Sequence, residues 1–129
     1  MSIPWLNREE YPFDSHFFEV PAGKLHYIDE GESDHVVVMV HGNPTWSYSF
    51  RHLIKGLSKT YRCIAVDHLG FGLSDKPEQW DYRPQSHAEN LDRLLTSLNI
   101  ESATFESYDE AIRGARSNCG RDTALTNFQ

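Results

Sequence analysis

The sequence is short of cysteine, of positive charge and of long apolar runs, and each shortage closes off a class of function. Its two cysteines, Cys63 and Cys119, lie far apart among 129 residues and form no C-x-x-C pair. That leaves neither a disulfide framework nor a cysteine zinc site. Twelve Lys+Arg face 19 Asp+Glu, for a formal charge of −7. Phosphate binding needs a concentrated basic surface, so nucleic acid and anionic membranes are not expected partners. No run approaches the roughly 18 apolar residues of a membrane span. The opening residues Met1 to Glu10 have neither the basic start nor the apolar stretch of a signal peptide, so the expected compartment is the cytoplasm. His16, His26, His35, His41, His52, His68 and His87 show no H-x-H or H-E-x-x-H spacing, and no histidine follows His87. No metal or other cofactor is expected, and these histidines read as scattered surface, loop and strand residues. What is present, 39% apolar residues with 12% aromatics, fits one globular domain.

Along the chain, residues 1–14 read as an irregular N-terminal arm. His16 to Val20 and Lys24 to Asp29 read as two strands joined by a turn at Pro21-Ala22-Gly23, a hairpin. Val36 to Val40 is an unbroken apolar run without alternation, the pattern of a strand covered on both faces. A helix is predicted from about Ser47 to Lys59, because Phe50, Leu53, Ile54 and Leu57 line one face. Tyr61 to Asp67 gives another strand, and Gly70 and Gly72 open a loop reaching about Arg83. A second helix is predicted from about Gln85 to Leu98, with Leu91, Leu94, Leu95 and Leu98 as its buried stripe and Ser86 with Glu89 as a capping box. Ala103-Thr104-Phe105 opens one more strand. Strands separated by helices of this length imply an α/β fold with right-handed crossovers and a parallel sheet. From Glu106 the apolar pattern fails, and 106–129 reads as a disordered tail.

His41-Gly42-Asn43-Pro44 stands where a buried strand gives way to a helix, the edge at which open α/β sheets bind ligands. Gly42 allows close backbone approach and Pro44 fixes the turn. His41-Gly-Asn-Pro-Thr-Trp-Ser47, followed by Asp67-His-Leu-Gly-Phe-Gly-Leu-Ser-Asp-Lys-Pro77, resembles α/β-hydrolases of the haloalkane dehalogenase-like group, with which the β-lactone decarboxylases of olefin biosynthesis belong. The resemblance runs from about Tyr11 to Phe105. It implies that the backbone N–H of Asn43 helps form an oxyanion hole and that its side chain helps hold the departing group of a small electrophilic substrate. Donors aimed at developing negative charge are often the largest catalytic contribution. His41 and Asp67 read as braces of their loops, the latter through local hydrogen bonds. Ser74 is no nucleophile, since Gly72-Leu-Ser-Asp-Lys76 has only the first glycine of an elbow and Pro77 opposes a following helix. Ser74 is instead expected to close the loop by hydrogen bonds.

The same resemblance implies an Asp nucleophile within His-Asp-Trp-Gly-Gly after the strand beginning at Ala103. Counting places Asp109 there, but Tyr108, Glu110, Ala111 and Ile112 stand where histidine, tryptophan and two glycines belong. An elbow needs small neighbours, so Asp109 reads as an ordinary carboxylate. With no histidine after His87, the base is missing as well. The expected architecture is therefore the N-terminal half of an α/β-hydrolase, residues 15–105, truncated at or before the elbow and inactive alone. The strand at Ala103 is expected to be an open edge, and the Leu91/Leu95 face to lack part of its cover, giving a marginal product. The alternative reading is a non-catalytic module that pairs through that edge with itself or with a C-terminal half.

Overall fold

In the computed structural model, residues 5–41, 45–107 and 122–126 are described. The hairpin forms as β1 (His16–Val20) and β2 (Gly23–Glu30), antiparallel, with Val20 opposite Gly23 so that Pro21 and Ala22 make the turn. β3 (Val36–Val40) follows, then a 3-10 turn at Ser47–Phe50 that runs into α1 (Arg51–Leu57). Next come β4 (Arg62–Val66), α2 (Pro84–Ser97), β5 (Ser102–Ser107) and β6 (Asp122–Thr126). The sheet order is β1-β2-β4-β3-β5-β6, antiparallel from β1 to β4 and parallel from β4 to β6.

Successive strand side chains point to opposite faces, and both faces of the central strands are covered. Val38 and Val40 of β3, with Ile64 and Val66 of β4, pack against Leu91, Leu94 and Leu95 of α2. Val37 and Met39, with Cys63 and Ala65, pack on the other side against Phe50 and Ile54. The expected stripes are therefore the buried ones. Burial, then Glu30 and Asp29, pushes the Cys63 thiol up to about 11, which makes it an inert core group. On the exposed side of α1, a Cβ added at Gly56 would meet nothing within 4 Å. Gly56→Ala is expected to stabilise the chain by about 0.5–1 kcal/mol, read as a raised urea midpoint, because alanine forgoes glycine's unfolded-state entropy.

The irregular arm packs into the domain, with Leu6, Tyr11 and Phe13 buried in the cluster beneath α1. Three expectations need correction. The Leu91/Leu95 face has full cover, both residues being at most 1% exposed. No capping box forms: α2 starts two residues before Ser86, with Pro84 in its first turn, and the Ser86 hydroxyl donates to Asp81 instead. The segment from 106 is not wholly without structure, because β5 continues to Ser107 and Asp122–Thr126 pairs with it. That pairing occupies the edge expected to stand open, giving the β5 backbone the partners an edge strand lacks.

Candidate functional site

β3 and β4 are parallel neighbours, so the loops that leave their carboxyl ends emerge side by side. Asp67 follows β4 directly and is wholly buried. Its Oδ1 accepts the Ser47 N–H at 2.6 Å, and its Oδ2 accepts the Leu73 N–H at 3.1 Å and faces His26 Nδ1 at 2.9 Å. One carboxylate thus ties β2, the start of the 3-10 turn and its own loop together. The loop comes this close because residue 72 is glycine: φ is +52°, and a Cβ there would lie 2.5 Å from Asp67 Oδ2 and 2.7 Å from the Trp46 ring. Ser74 closes the loop, donating to the Asp67 carbonyl at 2.6 Å and accepting the His26 N–H at 2.7 Å. Gly70 also has a positive φ, +90°, and donates to the Asp75 carbonyl. Tyr11, at the far side of Ser47, is 2.6 Å from its hydroxyl; burial first, then the charge of Asp67, holds its phenol above the ordinary range.

His41, leaving β3, is buried, and its Nε2 accepts the His68 N–H at 2.9 Å. His68 in turn lies between two other imidazoles, with ring centroids 4.5 Å from His41 and 4.5 Å from His87 of α2. Phe71 and Trp80 flank the stack at 5.2 Å from His41 and 4.9 Å from His87. The His68 Nε2 has no hydrogen-bond partner among the described residues. Burial, then the neighbouring His41 and His87, hold the His68 imidazole well below its ordinary value. The folded chain therefore binds fewer protons than the unfolded one on the acid side. Stability is full above the unfolded pKa of about 6.5 and falls by up to about 1.4 kcal/mol per pH unit below it, until the folded pKa is reached. His68→Leu keeps the backbone donor to His41 and removes the proton acceptor. It is expected to lose less stability than the parent as the pH falls from 7 to 5, with little difference at pH 8, in paired denaturant titrations.

The structure brings His41, Asp67, Gly70, Gly72 and Ser74 into two adjoining loops. Gly42, Asn43 and Pro44, with Asp109, lie outside the described residues. The reading of scattered surface, loop and strand residues holds for His16, His35 and His52 but is corrected for the rest: His26, His41, His68 and His87 are all buried, and three of them stack. Sequence reasoning passed over His26, Tyr11 and Ser47, whose roles depend on partners dozens of residues away. The one local hint was His68, directly after a carboxylate at a strand end. Among the described residues, no three His, Cys, Asp or Glu side chains are placed to hold a metal ion, and no helix is long and apolar enough to cross a membrane.

Residues 35–105 match the family model described as the alpha/beta hydrolase fold. A cis-3-alkyl-4-alkyloxetan-2-one decarboxylase of Shewanella oneidensis is 46% identical over 101 residues, covering 76% of this chain and 31% of that protein. Haloalkane dehalogenase 2 of Mycobacterium tuberculosis is 40% identical over 91 residues, covering 70% of this chain and 32% of that protein. Among solved structures, a haloalkane dehalogenase of Bradyrhizobium elkani superposes with a TM-score of 0.70 at 35% identity, covering 77% of this chain and 34% of the other. The chain spans about a third of the length of the curated relatives it matches.

Proposed function

The chain belongs to the alpha/beta hydrolase fold family, and from that membership we propose that residues 15–105 form the leaving-group side of a displacement site of the haloalkane dehalogenase kind. The substrate class is a small molecule with an electrophilic carbon, an alkyl halide or a β-lactone. The reaction asks for no cofactor. Asn43 supplies the donors that receive the negative charge of the departing group, while His41, Gly42, Pro44, Asp67, Gly70, Gly72 and Ser74 shape the loops around it. The observation that carries this reading is that both flanks of residues 42–44 are pinned to the loop after β4. His41 accepts from the His68 N–H, and the Ser47 N–H donates to Asp67. Electrostatic stabilisation depends on donors fixed before reaction, and anchored flanks favour that. The nucleophile, acid and base are assigned to no residue of this chain: Asp109 has unsuitable neighbours, and no histidine follows His87. Alone, the chain therefore performs no turnover.

A chimaera tests this. Residues 15–105 would replace the matching segment of a haloalkane dehalogenase relative, leaving that protein's own nucleophile, acid and base in place. With a bromoalkane, the folded chimaera is expected to release bromide and the isolated chain none above the blank. A folded chimaera without halide release, or steady release by the chain alone, would overturn the proposal.

A further inference from the structure

Beside the loops assigned to displacement chemistry, and sharing Asp67 with them, the structure holds a second arrangement with the parts of a nucleophilic relay. His26 of β2 is wholly buried and uses both ring nitrogens: Nδ1 lies 2.9 Å from Asp67 Oδ2, and Nε2 lies 2.9 Å from Ser15 Oγ. The Asp67 carboxylate already accepts the Ser47 and Leu73 N–H groups, so it receives the Nδ1 proton as well. With Nδ1 as the donor, a ring carrying one proton presents Nε2 as an acceptor to the Ser15 hydroxyl. Serine, histidine and buried carboxylate in this order and at these distances define the relay by which a hydroxyl is activated, whatever the fold. Ser15 is the member that reaches the surface, being only partly buried. Two residues along the extended chain, Phe17 is 45% exposed and meets the His26 ring edge-on at 5.3 Å, an apolar surface on the same side as Ser15.

We propose that Ser15 is a base-activated nucleophile toward activated acyl or phosphonyl esters carrying an apolar chain, with His26 as its base and Asp67 as the group that orients that base. With an alkyl fluorophosphonate, Ser15 Oγ bonds to phosphorus as the P–F bond breaks. Fluoride leaves with the bonding pair, and the hydroxyl proton passes to His26 Nε2. The imidazolium so formed is held against the Asp67 carboxylate. The assignment shares Asp67 with the displacement site proposed above but not the nucleophile, which there is a carboxylate. A pure bracing role for the His26–Asp67 pair would leave Ser15 no more reactive than any other serine.

The test is site-resolved labelling of the wild-type chain with an alkyl fluorophosphonate, followed by peptide mass mapping. A single phosphonyl adduct on Ser15 is expected, formed at least about tenfold faster than on any other serine, lost in denaturant and absent from Ser15→Ala. Labelling of Ser15 at the rate of the other serines, labelling that persists unchanged in denaturant, or no adduct on Ser15 would each overturn it. The mapping is done on the unaltered chain, so the result does not hinge on a variant folding.

Discussion

Asp67→Ala is expected to remove about 3–5 kcal/mol of stability, a large share of what an ordinary domain has. The change strands three donors at once: the N–H groups of Ser47 and Leu73 and the Nδ1–H of His26. A buried donor left without an acceptor costs about 1–3 kcal/mol, and bonds to a charged acceptor lie at the upper end of that range. Asp67→Asn recovers little, since its amide group offers one acceptor oxygen and two further donors to a set of donors. The measurement is a urea titration of both variants against the parent. A loss below about 1 kcal/mol for Asp67→Ala would show that the loops hold together without this centre.

The second large effect falls on Asn43. In the chimaera described above, Asn43→Ala is expected to lower halide release by about 100- to 1000-fold, the scale seen when one donor to a developing charge is removed. The loss should appear in kcat more than in KM, because charge on the departing group develops only as its bond to carbon breaks. A substitution that raised KM and left kcat unchanged would assign Asn43 to substrate binding alone. Equal rates in the two proteins would remove it from the site. The urea midpoints of the chimaera and its variant separate a chemical effect from an unfolding one.

Fold was easier to read from this sequence than site, for physical reasons visible at particular residues. Val36 to Val40 is apolar at every position because both faces of β3 are covered, and that composition is local information. The stripe at Leu91, Leu94 and Leu95 is local in the same sense. α2 begins at Pro84, within a residue of the start that the sequence indicates, but the Ser86/Glu89 spacing beside it makes no capping box. Asp67 and Ser74 could be recognised as loop-shaping positions, but their partner His26 lies 41 and 48 residues from them. No pattern within a short window encodes that meeting. The imidazole stack is assembled from the ends of two strands and the face of a helix, so its members look unrelated in sequence. β6 escapes notice because Asp122–Thr126 lies within a polar, glycine-containing stretch and has only Ala124 and Leu125 as apolar residues.

The order of the sheet also sets a timetable. β2 and β3 are consecutive in the chain, yet they are held apart by β4, which pairs with both. A growing chain that has exposed residues up to Val40 presents two strand edges that must not join, separated by the width of a strand still to be made. At typical synthesis rates Arg62 follows Val40 by about one to four seconds. During that interval the two edges can find wrong partners, in the same chain or in a neighbour. Val36 to Val40, apolar throughout, is the more adhesive of the two. A slow stretch of translation between residues 41 and 62 would lengthen the hazard, and a fast one would shorten it. The yield of folded chain is thus expected to follow the pace of decoding from His41 to Arg62.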